Sequence, residues 1–432
     1  MIEKISGWAR NNFFKTKIKY PKNILDLQKC IEKKVIARGQ GKSYGDSSIQ
    51  KNCVIGTKNL NRILKFDKKN GIISAESGIT IKKIIEKTLK HGWFLPVTPG
   101  SKFISLGGMV ASDVHGKNHH NVGSFRHHIK ELSLMDEKKK ILKCNRIKNK
   151  DLFNYTIGGM GLTGIIYSCT FKLIKVSSNL IHQETIKSKN LKETILNIIK
   201  SNKFEYNVAW LDTSASGVNL GRSILFRGNH VIEKKKIIKF NTLLKKKIFN
   251  IFPDWILNSL TINILNILFY RFTNAGFKNI NIDRYFYQLD KLQNSNELYG
   301  KKGFISYQFV VPYRNSEKCI REILGLIVKN KIYSFVSVLK NLGKKDGYLS
   351  FGIKGFTLVF DFPIYKNIEN NLSKIDDIVI KYKGRIYLPK DSRIKYQKFK
   401  KMKSGFSNKK FVELRKIKKK YFSSNQSERL GI

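Results

Sequence analysis

The chain has 432 residues, which is enough for two or three domains with cores of their own. Hydrophobic residues make up 41% of it and only 7 residues are proline, a composition that excludes a disordered or collagen-like protein. The 5 cysteines include no CxxC pair, which argues against a disulfide framework or a zinc site and suits a reducing compartment. The first residues lack an apolar run, so we expect no secretory signal.

The formal net charge is +52, from 83 Lys and Arg against 31 Asp and Glu. The basic residues are spread along the whole chain, so a solvated, lysine-rich surface is the simplest interpretation. Attraction to an anionic partner, such as membrane phospholipid or a phosphorylated substrate, is the alternative. We expect no nucleic-acid partner, because binding to nucleic acid would not explain the glycine-rich segments described below.

Residues 35–175 alternate between short strands and helices punctuated by glycine. Thr80 is expected to be a helix N-cap, because an apolar stripe that begins at Ile81 follows it at helical spacing. The Asp136-Glu137 pair between two β-prone runs predicts a hairpin. Strands are predicted at 35–37, 71–75, 129–135, 140–144 and 165–176. This pattern indicates an α+β fold rather than a doubly wound sheet of regular βαβ units.

The pattern changes after residue 178. Residues 190–201 predict an amphipathic helix, and the last 40 residues are again helix-prone and rich in lysine. A second sheet is expected from three strand-like runs at 304–311, 334–338 and 357–362.

Residues 231–271 combine basic residues with large aliphatic ones. The most apolar part, 251–270, carries one charge but also Pro, Asn, Ser and Thr residues, which make it a poor membrane span. A basic amphipathic segment can lie in a membrane interface, and an ordinary packed helix pair is the alternative. We expect this segment to be a docking element whose deletion abolishes binding to anionic liposomes.

Four glycine-rich or loop segments carry the chemistry: 37–47 (ARGQGKSYGDS), 98–125, 157–166 (IGGMGLTGII) and 385–393 (RIYLPKDSR). Glycines after a strand let the backbone approach a ligand and expose N–H groups to phosphate. The first segment is not a GxGxxG entering a long helix, which disfavours a Rossmann site. The second contains His115, His119 and His120, which we do not interpret as a metal site, because no acidic or cysteine ligands accompany them.

Together, ARGQGKSYGD, GGMVASDVHGKNHH, GGMGLTGII and GRIYLPKDSRI resemble the decaprenylphosphoryl-β-D-ribose 2-oxidase family, the flavin half of an epimerase, within the vanillyl-alcohol-oxidase (PCMH-type) FAD superfamily. The resemblance runs nearly end to end, from Gly7-Trp8 to the closing SERLG. It implies a two-subdomain PCMH-type FAD domain at 1–178, an inserted α+β substrate domain on an antiparallel sheet at 179–384, and a tail at 385–432 that returns to the FAD domain.

The resemblance also implies site residues. Lys390, Tyr44 and His115 are the catalytic candidates, and Lys390 would either orient the substrate hydroxyl or accept its proton. The substrate would contact Lys117, Gln308, Lys340, Thr357 and Lys390, with weaker pocket-wall positions at Trp210, Tyr270 and Arg271. The FAD would contact Ala37, Arg38, Gly39, Gln40, Gly41, Lys42, Ser43, Tyr44, Gly45, Asp46, Ser47, Gly100, Ser105, Leu106, Gly107, Gly108, Ser112, Asp113, Val114, His115, Ile166 and Tyr387.

Two departures from the family pattern matter. Lys42 stands where many superfamily members attach FAD through a histidine, so non-covalent FAD is expected. Val359 and Thr357 stand where the mycobacterial enzymes have a cysteine and an asparagine. Covalent inhibition by nitro-aromatic compounds at Val359 should therefore fail, and the sugar contacts near Thr357 are expected to differ.

The activity implied is FAD-dependent oxidation of the 2-hydroxyl of a polyprenylphosphoryl-β-D-ribofuranose. The alternative is an FAD oxidase of a soluble sugar, alditol or aldonolactone. The family implies a short-chain dehydrogenase/reductase partner that uses NADH or NADPH, an anionic membrane surface, and a quinone or oxygen as electron acceptor. We expect a cytoplasmic protein that associates peripherally with the inner membrane, with the periplasm as the alternative.

Overall fold

A computed structural model of the chain describes residues 1–232, 246–247, 253, 256–343, 347–402, 410, 413–414, 416–417 and 421–432. Much of the expected docking segment, at 233–245, 248–252 and 254–255, lies outside the described residues. None of the helices described has the length and apolar content needed to cross a bilayer.

The N-terminal region contains two sheets and a short strand pair. The first has the order β1-β2-β4-β3 and the second, which is antiparallel, has the order β5-β6-β10-β8-β9. Their strands, with the short pair β7 and β11, are β1 (Ile2–Ser6), β2 (Phe13–Lys19), β3 (Val35–Arg38), β4 (Cys53–Gly56), β5 (Ile63–Asp67), β6 (Ile72–Glu76), β7 (Trp93–Phe94), β8 (Ile129–Met135), β9 (Ile141–Asn145), β10 (Ile165–Lys172) and β11 (Ile174–Lys175). The helices are α1 (Ile24–Cys30), α2 (Ile81–Thr88), α3 (Leu106–Ala111), α4 (His119–Val122) and α5 (Lys150–Thr156).

Local sequence accounts for these elements. The Thr80 side chain accepts a hydrogen bond from the Lys83 N–H and caps α2, as predicted. The apolar stripe of α2 is buried, because it packs into the core between this helix and the second sheet. The hairpin of β8 and β9 is closed at its turn by a bond from the Asp136 N–H to the Lys140 carbonyl.

The middle of the chain forms one eight-stranded antiparallel sheet with the order β16-β12-β14-β13-β19-β20-β18-β21. The strands of this region, which also include the parallel pair β15 and β17, are β12 (Leu180–Ser188), β13 (Tyr206–Leu211), β14 (Ser223–His230), β15 (Lys246–Lys247), β16 (Gly276–Asn281), β17 (Leu292–Gln293), β18 (Phe304–Pro312), β19 (Ser337–Leu342), β20 (Gly355–Pro363) and β21 (Arg385–Ile386). The helices are α6 (Leu191–Lys200), α7 (Ser259–Phe272), α8 (Ile282–Phe286), α9 (Tyr313–Lys329) and α10 (Ile368–Lys381). The α+β prediction, with an antiparallel second sheet, is confirmed.

The two faces of this sheet differ because side chains alternate along each strand. One face belongs to a large hydrophobic core shared with α6, α9 and α10, and it carries residues such as Phe309, Leu358 and Leu339. The opposite face carries Gln308, which pairs with Val359, and Thr357, which pairs with Lys340. The register of the three central strands therefore places polar side chains together on one face.

One predicted strand begins later than expected. We predicted 334–338, but β19 starts at Ser337. The reason is local, because Ser334 makes side-chain-mediated bonds that replace a strand ladder: its N–H donates to the Thr213 hydroxyl, and its own hydroxyl donates to the Asp361 carbonyl.

The tail, which contains α11 (Tyr396–Met402) and α12 (Asn425–Arg429), returns to the N-terminal region. Phe422 forms a parallel bridge with Val35, and the Gln50 amide donates to Ser423. The domain boundaries at 178 and 384 remain our division of the chain, and β21, at the start of the tail, pairs with β18 of the large sheet.

Candidate active site

The loop at 37–47 leaves β3 and is held so closely that side chains are excluded from two of its positions. A Cβ at Gly45 would collide with the Asp391 carbonyl in the tail, and one at Gly39 would collide with the Ser105 side chain. Gly41 has a φ of +63°, a conformation that favours glycine. Arg38 anchors the start of the loop by donating to the Ser6 carbonyl at 2.7 Å.

The loop at 98–116 contains α3 and meets the first loop at the Gly39–Ser105 contact. Ser105 caps α3 by accepting from the Gly108 N–H, and the Gly107 N–H donates to the Ser77 carbonyl at 2.7 Å. The third glycine-rich segment closes on the other end of α3, where the Met160 N–H donates to the Ala111 carbonyl. Three separate segments are thus bonded into one cradle.

The cradle fits the phosphates and the flat ring expected of FAD. Its backbone is accessible at Gly100 and Gly108, and the residues from Ala37 to Tyr44 are all half-buried rather than packed into a core. A Cβ at Gly107 would fill space next to Ser77, whose buried hydroxyl has no hydrogen-bond partner in the part of the chain that the structure describes. A close-approaching backbone with an unsatisfied polar group beside it suits a polar ligand.

The tail adds an aromatic wall to this cradle. The Tyr387 hydroxyl donates to the Ser112 carbonyl at 3.2 Å, and the Tyr387 N–H donates to the Gln308 carbonyl. The His115 ring lies 5.0 Å from the Tyr387 ring and is stacked on Phe351 at 5.4 Å, measured between ring centroids. Tyr387 therefore connects the predicted cofactor loop to the large sheet.

A hydrogen-bonded chain continues from His115 into the large sheet. The Gln308 Nε2 lies 2.9 Å from His115 Nε2 and 3.0 Å from the Thr357 hydroxyl, which donates to the Phe309 carbonyl. The three side chains are buried, with exposed fractions of 3% for Gln308, 7% for His115 and 0% for Thr357. The structure thus brings the predicted cofactor residue His115 against two predicted substrate residues.

Lys390 and Tyr44 also meet. The Lys390 Nζ lies 4.5 Å from the centroid of the Tyr44 ring, and the Tyr44 N–H donates to the Pro389 carbonyl. Burial lowers the pKa of Lys390, while the Asp361 carboxylate opposes that shift. Burial raises the pKa of Asp361, an effect that Lys390 and the Ser306 hydroxyl counteract. Burial and the Asp361 carboxylate therefore act in opposite directions on the charge of Lys390.

Two further lysines extend this positive region. Burial and the charge of Lys390 lower the pKa of Lys340 to about 8. Burial and the charge of Lys340 lower the pKa of Lys117 to about 7, and the Lys117 ammonium donates to the Tyr285 carbonyl. Three predicted substrate residues thus form a line of mutually repelling cations, an arrangement that an anionic ligand would stabilise.

The other histidines of the HGKNHH segment bond to backbone groups of the large-sheet region. His119 Nδ1 accepts from the Gly343 N–H at 3.0 Å, and His120 Nε2 lies 3.0 Å from the Phe204 carbonyl. Within the described ranges, no three His, Cys, Asp or Glu side chains are grouped so that they could hold a metal ion.

The remaining predicted residues occupy varied places. Lys42 lies over the Trp8 ring, 3.1 Å from its centroid, and Ile166 is buried in β10. Trp210 lies on the polar face of the large sheet. On α7, the Tyr270 ring lies near Arg222, and Arg271 is exposed. The structure therefore does not bring Tyr270 or Arg271 into the hydrogen-bonded group around Gln308.

Sequence reasoning missed several residues that build the site. Asp361 faces Lys390, and Arg385 donates to the carbonyls of Ser350, Phe351 and Gly352, which holds Phe351 against His115. A signal for Asp361 was present, because polar side chains at 357 and 361 share one face of an otherwise apolar strand. Nothing in the local sequence distinguished Arg385 as a fully buried guanidinium.

Comparisons with known proteins agree with this geometry. Residues 18–145 match the FAD binding domain family. The chain is 32% identical over 378 residues to the decaprenylphosphoryl-β-D-ribose oxidase of Mycolicibacterium smegmatis, which covers 84% of this chain and 82% of that protein. It is 26% identical over 204 residues to the L-gulonolactone oxidase of Bos taurus, which covers 45% of each chain. It is 29% identical over 142 residues to the D-lactate dehydrogenase of Anaerostipes hadrus, which covers 32% of this chain and 30% of that protein.

The similarity to the mycobacterial protein extends across both the FAD cradle and the large sheet, whereas the matches to the L-gulonolactone oxidase and the D-lactate dehydrogenase cover less than half of the chain. The cofactor prediction of FAD is confirmed by these matches and suits the cradle. The chain therefore belongs to the decaprenylphosphoryl-β-D-ribose oxidase family and is an FAD-dependent oxidoreductase.

Proposed function

We propose that this enzyme oxidises the 2-hydroxyl of a polyprenylphosphoryl-β-D-ribofuranose to the 2-keto sugar, the first half of an epimerisation to the arabinose form. The observation that carries the proposal is the line of Lys117, Lys340 and Lys390 beside Gln308 and Thr357. These cations suit a phosphodiester, and the amide and hydroxyl suit a sugar. Asp361 opposes the charge of Lys390, but a neutral sugar alcohol brings no counter-charge for Lys117 and Lys340.

Bound FAD supplies the acceptor for the hydride that leaves the carbinol carbon. Lys390 either orients the sugar hydroxyl or accepts its proton. Burial lowers the pKa of Lys390, and the charge of Asp361 opposes that shift. Burial raises the pKa of Tyr44, so this phenol stays protonated, and its ring supports the Lys390 side chain.

The proposal extends to the partners of this reaction. A 2-keto product needs a reductase to complete the epimerisation, for which a short-chain dehydrogenase/reductase using NADH or NADPH is suited. A lipid-linked substrate requires an anionic membrane surface, where a quinone is a suitable electron acceptor and oxygen is the alternative. We place the protein peripherally at the cytoplasmic side of the inner membrane, with the periplasm as the alternative.

The test is anaerobic mixing of the FAD-loaded enzyme with candidate substrates. We expect polyprenylphosphoryl ribose to abolish the visible absorbance of the oxidised flavin within one turnover, and free ribose, alditols and aldonolactones to leave it unchanged. Rapid bleaching by a free alditol or an aldonolactone, with none by the phosphorylated lipid, would replace the proposal with that of a soluble-sugar oxidase. The matches to L-gulonolactone oxidases make the aldonolactone the essential control.

A further inference from the structure

Helix α7 turns most of its large apolar side chains outward. Its buried residues are Ile262 and Asn266, and the Asn266 amide lies 3.5 Å from the hydroxyls of Thr213 and Ser214. Large apolar side chains point outward instead. They are Leu260, Ile264, Leu265, Ile267, Leu268 and Phe272, and they are between 40% and 72% exposed. So dense an exposed apolar surface on one helix marks an interaction site.

The charges around this helix identify the partner. From residue 256 to residue 282 the sequence has no Asp or Glu, and its charged residues are Arg271 and Lys278. Next to α7, the Lys187 ammonium donates to the Arg271 carbonyl, and Arg222 lies against Tyr270. Arg222 is paired with Asp212, so the cations that flank the apolar side chains are Lys187, Arg271 and Lys278. A segment with no Asp or Glu of its own between 256 and 282 and with these cations suits an anionic lipid surface.

The helix is also connected to the candidate active site. The Phe269 ring packs edge-on against Trp210 with 4.8 Å between ring centroids, and the Trp210 indole donates to the Phe335 carbonyl. In the large sheet Trp210 pairs with Val338, and Val338 pairs with Val359, which is opposite Gln308. This apolar strip spans three strand spacings, about 15 Å, from the sugar-binding candidates to α7.

We infer that the outward face of α7 lies in the surface of an anionic bilayer and that the strip from Phe269 to Val359 carries the lipid chain of the substrate to the site. The inference rests on the proposed lipid-linked substrate. It also narrows the docking element, which the sequence placed anywhere in 231–271, to one helix. The exposed apolar face of α7 would then bind the bilayer, and the substrate could reach the flavin without leaving the membrane.

The experiment compares two double variants of the FAD-loaded full chain. Ile264→Glu with Leu268→Glu places two carboxylates on the outward face of α7. Leu196→Glu with Ile199→Glu makes the same change on α6, where the two residues are 47% and 45% exposed. Binding is measured by sedimentation with vesicles of phosphatidylcholine and phosphatidylglycerol, and with phosphatidylcholine alone.

We expect the wild type and the α6 variant to bind the anionic vesicles equally. The α7 variant should bind them at least about tenfold more weakly. For a water-soluble, short-prenyl substrate, the kcat of the α7 variant should equal that of the wild type, while KM for the long-chain substrate in vesicles should rise. The flavin absorbance shows that both variants remain folded.

The outcomes separate this inference from the proposed function. If the short-prenyl substrate bleaches the flavin but the α7 variant binds vesicles as the wild type does, docking through α7 is wrong and the proposed function stands. If no prenylphosphoryl sugar bleaches the wild type, the proposed function fails, whatever the vesicles show. If the α7 variant changes only the oligomeric state, the apolar face is an interface between copies and the inference is overturned.

Discussion

Lys390 lies between the Tyr44 ring and the Asp361 carboxylate, yet its side chain contributes to neither sheet pairing nor the apolar core. We therefore expect Lys390→Met to retain FAD and to reduce the rate of flavin reduction by about 10²–10⁴-fold, which is the usual contribution of a positioned proton acceptor. Stopped-flow absorbance measures that rate. The exposed Lys395 provides a matched control, since Lys395→Met should react at the wild-type rate. An unchanged rate for Lys390→Met would remove Lys390 from the chemistry.

Lys340 and Lys117, with pKa values of about 8 and about 7, make substrate binding depend on pH. Both values lie below the ordinary 10.5, so both lysines lose their protons as the pH rises through 7 to 8 and then no longer attract a phosphodiester. KM should rise by up to about tenfold per pH unit above pH 8. Lys340→Met should raise KM at pH 7 and flatten this dependence. A KM that is constant between about pH 6 and about pH 10 would contradict the assignment.

The same lysines affect stability in the opposite sense. Between the lowered pKa of the folded state and the ordinary value of the unfolded chain, the folded protein binds fewer protons. The substrate-free protein should therefore gain stability as the pH rises from about 7 towards 10. Thermal unfolding at several pH values measures this, and in Lys340→Met the gain should be smaller. An equal increase in stability with pH in the wild type and in Lys340→Met would mean that burial does not lower the pKa of Lys340.

The sequence offers candidate site residues through backbone geometry or the family pattern, and it offers little for residues whose importance depends on tertiary contact. Gly39 and Gly45 were recognisable because a glycine-rich loop after a strand has a physical reason. Asp361 matters because β20 places it near Lys390. Arg385 matters because β21 places it beside the carbonyls of residues 350–352. Their partners are distant along the chain, so the alternation in β20 can place Asp361 on a polar face but cannot identify Lys390 as its partner, and no local pattern distinguishes Arg385.

Among the elements, the loop that leaves β3 is held where the tail crosses it. Gly45→Ala would force a Cβ into the Asp391 carbonyl and push the loop away from the turn that carries Lys390. We expect a clear loss of FAD affinity and a lower melting temperature, measured by fluorescence of the released flavin. In α9, Gly325 has open space around an added Cβ, so Gly325→Ala should retain FAD and gain stability. Full FAD occupancy in Gly45→Ala would show that the loop can move without harm.

The elements themselves were predicted to different degrees. Alternation and capping identified β8, α2 and α6 within one or two residues, because each buries a periodic apolar face. The start of β19 was misplaced, because side-chain bonds from Ser334 replace the ladder there. The sequence predicted a basic amphipathic segment within 231–271, but the outward position of the apolar side chains of α7 depends on the burial of Ile262 and Asn266, which the local sequence does not show.

At the scale of the whole molecule, the candidate site is built from segments that lie more than 300 residues apart along the chain. Arg429, in the last helix, donates to Asp46 in the first loop at 2.8 Å and to Asp391 in the tail at 3.0 Å. Burial raises the pKa of Asp46, and Arg429 opposes that shift, so the carboxylate depends on this guanidinium for its charge. The last helix of the chain is therefore bonded to the loop that is predicted to hold the cofactor.

Arg429→Leu leaves both carboxylates partly buried without their cation, which should cost about 3 kcal/mol of folding free energy and weaken FAD binding. Denaturant unfolding and flavin titration measure the two effects. The control is Arg321→Leu, which breaks an exposed i,i+4 pair with Glu317 and should cost less than about 0.5 kcal/mol. If the two variants bind FAD equally well, the tail contacts the first loop but does not contribute to FAD binding. If Arg429→Leu alone loses the flavin, an end of the chain far from the substrate residues determines whether the enzyme holds its cofactor.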